Sequence, residues 1–133
     1  MTFGLLLLSV VYKVKIKSAA LEFILGVSRK FHPHEFGGML RGKGGVIEEV
    51  LVIPATTYGE DFVSTRLDMV PIDRSIIGSV HSHPAPDFRP SDADIAFFGR
   101  TGSVHLIVKS PYKGIRDVAA YDGKGKRIDL EPV

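Results

Sequence analysis

The chain has 133 residues, 44% hydrophobic and 24% charged, a balance that fits one globular domain and excludes an intrinsically disordered protein. Seventeen Lys and Arg face fifteen Asp and Glu, so the net charge is only +2, and no dense basic run marks a nucleic-acid-binding arm. Because Cys is absent, disulfides, thiolate ligands and cysteine nucleophiles are excluded, and any metal must be held by His and carboxylates.

The first eleven residues, MTFGLLLLSVV, are mostly apolar. They are too few for a membrane span, which needs about 20 apolar residues, and they lack the basic start and cleavage site of a secretory signal. Residues 1–11 are therefore predicted to form a buried strand or an apolar packing or dimer surface, with an anchor as the alternative. Residues 12–133 are predicted to be one domain of a cytoplasmic protein without a membrane or nucleic-acid partner.

Residues 12–17 alternate between apolar side chains and lysines, which predicts a half-buried strand whose lysines discourage edge-to-edge pairing. Ser18 is expected to cap a helix that ends at His32-Pro33, because the residue before a proline is disfavoured in helical geometry. A hairpin is predicted next, with strands at residues 35–42 and 46–53 and a turn at Lys43-Gly44-Gly45.

Later in the chain, Ser91 is predicted to cap a second helix that extends to Arg100, with Asp94 at the third helical position. Before it, residues 84–90 contain three prolines and are expected to form neither helix nor central strand. Further strands are predicted at residues 67–70, 75–82, 104–109, 115–121 and 127–130. The order of elements predicts an α/β fold of the α+β type, with a mixed, mainly antiparallel sheet packed against two helices.

Four polar residues in the segment HSHPAPDFRPSDAD have a spacing typical of a metal site. His81 and His83 lie two apart on a predicted strand, so their side chains point to the same face. The proline-rich loop then returns the chain, and the first turn of the next helix presents Asp94. Two imidazoles and one carboxylate leave a fourth position for water, as in a catalytic rather than a structural zinc site.

Each part of this pattern also has an ordinary interpretation. A His-x-His pair can lie on a solvated strand face, and Ser91 with Asp94 can be a simple capping box. The whole pattern H-x-H-x7-S-x2-D, however, is expected by chance in roughly one chain of this length in several thousand. The metal site is therefore the favoured interpretation, and Ser91 can cap the helix within it.

With Glu35 upstream, the chain resembles the JAMM (MPN-plus) zinc metalloprotease family, in particular its small stand-alone archaeal-type members. The family motif is a Glu followed by H-x-H-x7-S-x2-D, and all five positions are filled here. The segments HPHEFGGMLRG and GSVHSHP are also similar to the family, and the resemblance extends from about Lys13 to the C-terminus. It implies an MPN/JAB fold, which is cytidine-deaminase-like.

The resemblance implies a role for each position. His81, His83 and Asp94 would bind one zinc ion per chain. Glu35 would take a proton from the zinc-bound water and pass it to the leaving amine, and Ser91 would donate a hydrogen bond to the developing oxyanion. The roles of Glu35 and Ser91 have a physical basis, since a base must accept the proton of the water and a hydrogen-bond donor must stabilise the developing negative charge.

Members of the family hydrolyse the isopeptide bond between the C-terminal glycine of a ubiquitin-like modifier and a substrate lysine. The resemblance therefore implies a deubiquitinase- or desampylase-like hydrolase whose partners are conjugates of modifiers that end in Gly-Gly. Two insertions that select linkages in larger relatives would fall within residues 54–66 and near residues 110–114, and both are short here. We expect weak linkage selectivity.

Alternatives stay open at this point. The chain could instead be a zinc peptidase that processes a sulfur-carrier or ubiquitin-like precursor, or a non-catalytic MPN scaffold, although scaffolds usually lose zinc ligands. A nucleic-acid-associated zinc module is disfavoured because the Lys and Arg are scattered. A serine triad around Ser91 is disfavoured because no G-x-S-x-G nucleophile elbow is present. A homodimer is also an open alternative.

Other candidate residues are assigned to structural positions. His32 and His34 lie near Glu35 but are expected to be loop residues rather than ligands. His105 is predicted to be a structural residue of a late strand. Ser82 lies between the two candidate ligands and is expected to point to the opposite face, in a packing or hydrogen-bonding role.

Overall fold

A computed structural model describes residues 13–53 and 75–133 of the chain. The described residues form seven strands, two α-helices and a short 3-10 helix. The strands are β1 (Lys13–Ile16), β2 (Gly37–Lys43), β3 (Val46–Val52), β4 (Ile76–His83), β5 (Val104–Lys109), β6 (Val118–Tyr121) and β7 (Arg127–Pro132), and the helices are α1 (Ser18–Phe31) and α2 (Asp92–Phe98).

The alternating pattern of the first strand is confirmed. Val14 and Ile16 are buried, whereas Lys13, Lys15 and Lys17 are exposed. The expected function of the lysines at a free edge is wrong, however, because β1 pairs in parallel with both β3 and β7. Without a free edge on β1, the lysines are left as its solvent-facing side, and Lys13 forms an exposed ion pair with Glu131 at 3.1 Å.

Helix α1 begins at Ser18 and ends at Phe31, immediately before His32-Pro33, as predicted. The expected capping role of Ser18 is wrong, since Lys17 is the N-cap and no side-chain cap bond is present. The Ser18 hydroxyl instead donates to the carbonyl of Val133 at 2.9 Å. The end of β7 runs beside β1 and brings this distant carbonyl within reach of the Ser18 hydroxyl.

The predicted hairpin is confirmed by antiparallel pairing of β2 with β3. Gly44 and Gly45 connect the strands with φ values of +61° and +77°. Positive φ at both central residues is the geometry that suits the twist of a two-residue hairpin, and glycine adopts it without a Cβ clash. The glycine pair therefore fixes the register of the two strands.

The seven strands close into a barrel in the order β1-β3-β2-β4-β5-β6-β7. Four strand pairs are antiparallel and three are parallel, so the prediction of a mixed sheet with two helices in an α/β fold is confirmed. Closure of the sheet was not predicted, because it depends on β1 meeting β7 from opposite ends of the domain. The predictions for residues 1–11 and 67–70 lie outside the described residues.

Both faces of β5 are buried. Leu106 and Val108 pack in the larger core cluster together with residues of α1, whereas Ile107 packs on the other face with Phe97 and Phe98 of α2. Such a strand reads as a continuous apolar run rather than an alternating one. The two helices therefore cover opposite faces of the sheet at β5.

One predicted strand begins later than expected. Residues 115–117 form a 3-10 helix, and β6 covers only Val118–Tyr121. Asp117 explains the difference, because its Oδ2 accepts the backbone N–H of Lys113 at 2.7 Å and its own N–H donates to the carbonyl of Gly114 at 2.9 Å. No helix among the described residues has the length and apolar character needed to cross a membrane.

Candidate metal centre

The face of β4 that carries His81 and His83 is set by its parallel neighbour β5. His81 lies opposite Ile107 in the register, and Ile107 packs against α2. Side chains opposite each other in paired strands share a face, so both histidines point toward the α2 side of the sheet. The His81 and Phe98 rings lie 6.5 Å apart, which agrees with this placement.

Helix α2 presents Asp94 to that face through a complete capping box. The Ser91 hydroxyl accepts the backbone N–H of Asp94 at 3.0 Å, and the Asp94 carboxylate accepts the backbone N–H of Ser91 at 2.9 Å. These reciprocal bonds satisfy two backbone donors at the helix start and hold the carboxylate in one orientation. Helix α2 is shorter than predicted and ends at Phe98 instead of Arg100.

The structure brings His81, His83 and Asp94 together, with ligand atoms all within 4.8 Å of one another. The two Nε2 atoms are 3.2 Å apart, and they lie 3.5 Å and 3.8 Å from the two carboxylate oxygens of Asp94. Ligands about 2.1 Å from a tetrahedral zinc ion are roughly 3.4 Å apart. This donor set therefore fits a zinc ion with three protein ligands.

A backbone carbonyl orients one of the candidate ligands. The Nδ1 of His83 lies 2.9 Å from the carbonyl oxygen of Asp87, which can only accept a hydrogen bond. The neutral His83 ring therefore carries its proton on Nδ1, and Nε2 is the nitrogen that faces Asp94, able to bind a cation or, when protonated, to donate to the carboxylate. A carbonyl or carboxylate bound to the distal nitrogen is the usual support of a metal-binding histidine.

The electrostatics of the cluster favour a negative Asp94. Burial raises the pKa of the Asp94 carboxyl, but hydrogen bonds with both histidines outweigh this and hold the pKa well below its usual range. The hydrogen bond with Asp94 in turn raises the pKa of His83, although burial opposes it. The Nε2 atoms of two imidazole rings thus face one negatively charged carboxylate, and a metal cation could bind to all three groups.

The pairing of β2 with β4 brings the segment before β2, which contains Glu35, to the end of β4 that carries the candidate ligands. Gly37 lies opposite His81, and beyond it Phe36 and Ser82 exchange two bonds, Ser82 N–H to the Phe36 carbonyl at 2.9 Å and Phe36 N–H to the Ser82 hydroxyl at 2.8 Å. Glu35 directly precedes Phe36, so it lies near the end of β4 that carries His83. Glu35 is exposed, and the negative charge of its carboxylate contributes to the raised pKa of His83.

The structural assignments of the remaining candidates agree with the structure. Ser82 is fully buried and bonds to Phe36, and His105 is fully buried between Ser79 Oγ at 2.8 Å and the Gly102 carbonyl at 3.0 Å. The His105 ring stacks on Phe98 with centroids 4.3 Å apart. Burial lowers the pKa of His105 to about 4, so its ring is neutral at neutral pH.

The loop between the ligands is held to the sheet at Phe88. The Tyr121 hydroxyl donates to the Phe88 carbonyl at 2.8 Å, and Lys109 and Arg127 lie over the Phe88 ring at 5.0 Å and 5.2 Å. As predicted, residues 84–90 form neither helix nor strand. The loop still has a defined path, which sets the distance between the end of β4 and the start of α2.

The sequence analysis missed Tyr112, which is only 2% exposed and contacts the candidate ligand His83. Its hydroxyl donates to the His83 carbonyl at 3.1 Å and lies 2.9 Å from Nδ1 of His32. The one signal in the sequence is an aromatic residue inside the polar loop Ser-Pro-Tyr-Lys-Gly, where a buried side chain is unusual. His32 itself is a loop residue, as expected, but it is bonded to this tyrosine.

Comparisons with a family model and with known proteins identify the same family. The family model described as prokaryotic homologs of the JAB domain matches residues 17–121. A protein described as "Probable metalloprotease" from Haloferax volcanii is 42% identical over 128 residues, which are 89% of this chain and 78% of that protein.

Two solved structures are similar to the chain over most of its length. A JAB1/MPN domain protein from Archaeoglobus fulgidus is 34% identical with a TM-score of 0.73, and the match covers 90% of this chain and 99% of that one. A second structure is described as "JAMM: A Metalloprotease-like Zinc Site in the Proteasome and Signalosome". It is 32% identical with a TM-score of 0.71, and the match covers 90% of this chain and 97% of that one.

Proposed function

The chain belongs to the family of prokaryotic homologs of the JAB domain, and we propose that it is a zinc-dependent isopeptidase. It is a JAMM/MPN metalloprotease-like protein with a His-His-Asp cluster suited to a metal ion. One observation carries the proposal: the exposed Glu35 directly precedes Phe36, which is bonded to Ser82 between the two candidate histidine ligands. A ligand set with a neighbouring base is the minimum that metal-assisted hydrolysis requires.

In this proposal His81, His83 and Asp94 would hold one zinc ion. A bound zinc ion supplies Lewis-acid chemistry and lowers the pKa of a water molecule to about 7. His83 is supported for this role by the Asp87 carbonyl, which fixes its tautomer, and Asp94 by the capping box, which fixes its carboxylate. These two donors thus keep their positions without help from substrate.

Glu35 and Ser91 perform the proton transfer and the charge stabilisation. The Glu35 carboxylate accepts a proton from the attacking water and delivers it to the leaving amine, as a general base and then a general acid. The Ser91 hydroxyl accepts the Asp94 N–H through its oxygen, so its own proton can be donated to the carbonyl oxygen of the substrate. The hydroxyl therefore meets the negative charge that develops on that oxygen.

We propose that the substrate is a conjugate between a ubiquitin-like protein ending in Gly-Gly and a lysine side chain. The support is the family and the exposure of the two proposed catalytic side chains, Glu35 and Ser91. An extended tail of two glycines can approach such a site because it has no side chains to clash with the surrounding loops.

The experiment is incubation of the zinc-loaded protein with isopeptide-linked conjugates of Gly-Gly-ending modifiers and with linear fusions of the same modifiers. Mass analysis of the products locates the cleaved bond. We expect cleavage after the second glycine, loss of activity with a chelator, and recovery on addition of zinc. Cleavage of the linear fusions alone would instead identify a peptidase that processes precursors.

A panel of conjugates with defined linkages tests specificity in the same assay. The expected result is similar rates for all linkages, and strong preference for one linkage would contradict it. Glu35→Gln is the matched inactive control, because it keeps the size of the side chain and removes the base. Cleavage by that variant at the wild-type rate would reject the proposed mechanism.

A further inference from the structure

Tyr112 occupies a position that folding alone does not favour. It follows β5 in the loop that leads to the 3-10 helix, and its φ of +59° is in the left-handed region. For a bulky residue this backbone conformation costs about 1–2 kcal/mol, and such outliers concentrate at functional sites. The backbone carbonyl of Tyr112 also accepts a hydrogen bond from the Arg29 guanidinium of α1.

The single proton of the Tyr112 hydroxyl fixes the direction of its two bonds. The carbonyl of His83 can only accept, so the hydroxyl donates to it at 3.1 Å. The phenolic oxygen must then accept from His32, whose Nδ1 lies 2.9 Å away. The bonds run from His32 Nδ1–H to Tyr112 and from Tyr112 to the His83 carbonyl.

These bonds form one of two attachments that flank Glu35. Three residues before Glu35, His32 is tied through Tyr112 to His83. One residue after it, Phe36 is tied to Ser82 by the two bonds described above. The Glu35 loop, residues 32–36, is thus attached on both sides to the end of β4 that carries the candidate ligands.

We infer that Tyr112, with His32, is a positioning residue that holds the Glu35 loop in register with the metal cluster. The inference rests on the proposed function, in which Glu35 is the base. Tyr112 is only 2% exposed and so is closed to substrate, and both residues act through the place they give to Glu35. A displacement of about 1 Å at a reacting group can lower the rate roughly 100-fold.

Nitrogen-15 NMR of the imidazole rings tests the bonds without any need for catalysis. In the zinc-loaded wild type we expect His32 in a single tautomer with its proton on Nδ1. In Tyr112→Phe, which keeps the ring and removes the hydroxyl, this ring should average between tautomers. An averaged His32 ring in the wild type would overturn the inference.

Kinetics on the conjugate substrate test the positioning. We expect Tyr112→Phe to lower kcat roughly 10- to 100-fold with KM and zinc affinity unchanged, since the substrate contacts and ligands remain. His32→Leu should lose as much, and His32→Asn, whose amide nitrogen can replace Nδ1 as donor, should recover most of kcat. His34→Ala removes a histidine from the same loop and should keep wild-type activity.

The outcomes separate this inference from the proposed function. Thermal melting of each variant identifies loss of folding, and a double variant Tyr112→Phe/His32→Leu no slower than either single one supports a shared pathway. Wild-type kcat in Tyr112→Phe, or an equal loss in His34→Ala, would overturn the inference. If the wild type hydrolyses no conjugate, the proposed function fails, and the NMR result alone decides whether Tyr112 fixes the loop.

Discussion

The ligand segment, residues 81–94, and the Glu35 loop, residues 32–36, are built in different ways. The ligand segment holds its donors by local geometry, through strand alternation, the His83–Asp87 bond and the capping box of α2. The Glu35 loop is held by residues far away in the chain, Ser82 and Tyr112. Changes in the Glu35 loop are therefore expected to lower proton transfer while metal binding is kept, because the ligands do not depend on that loop.

Asp94→Asn should have the largest effect and break the ligand segment. The amide keeps an oxygen for the bond with the Ser91 N–H, but it loses the charge that binds the cation. We expect zinc affinity to fall by more than about 100-fold and activity to be lost with it. Loss of a group that only hydrogen-bonds to a metal ligand already lowers metal affinity about 10- to 100-fold, and Asp94 is itself a proposed ligand. Zinc competition with a chromophoric chelator measures the affinity. Asp92→Asn, on the exposed side of the same helix turn, is the control and should bind zinc normally.

Glu35→Gln should break the other region alone. Removal of a general base lowers the rate by about 10²- to 10⁴-fold, while the three ligands stay in place. The measurement is kcat on a conjugate together with the zinc content of the purified variant. Glu22→Gln on the exposed side of α1 is the control and should keep full activity. A zinc-free Glu35→Gln protein would show that the two regions are not independent.

Ser91→Ala tests the difference between the two regions more finely. Ser91 lies in the ligand segment, but its loss is expected to lower the rate more than zinc binding. Loss of an oxyanion donor lowers kcat by about 10²- to 10³-fold. Loss of the helix cap also destabilises the protein by about 1 kcal/mol, visible as a lower unfolding free energy in urea. Ser91→Thr keeps a hydroxyl and the cap and should recover most of both. Equal kcat in the alanine variant and the wild type would contradict the role of Ser91.

His105 gives the smallest expected effect on activity, because its protonation changes stability with pH and leaves the site chemistry intact. Its pKa is lowered to about 4 by burial, so below a pH of about 6.5 the unfolded chain binds a proton that the folded chain does not. Stability is therefore complete above that pH and decreases as pH falls toward 4, by up to about 3 kcal/mol. Urea unfolding of the zinc-free protein measures this, with His105→Gln as the comparison. Parallel pH curves for the two proteins would reject the contribution of His105.

The predictions from sequence succeeded where the interactions are local. The capping box at Ser91, the glycine turn at Gly44-Gly45 and the exit of α1 at His32-Pro33 depend on neighbouring residues only, and all three are present. They failed where a distant group competes. Ser18 bonds to Val133 instead of capping α1, and β1 is paired on both sides instead of lying at an edge.

The candidate ligands could be predicted because strand alternation and a helix cap place His81, His83 and Asp94 within one short segment. The sequence by itself therefore determined the donor set and its chemistry. Only the tertiary structure decided that the residue after Glu35 is bonded to Ser82 and that Tyr112 links His32 to the His83 carbonyl. The physical reason is that strand register, barrel closure and buried hydrogen bonds between distant residues are set by packing of the whole domain, which local sequence patterns do not contain.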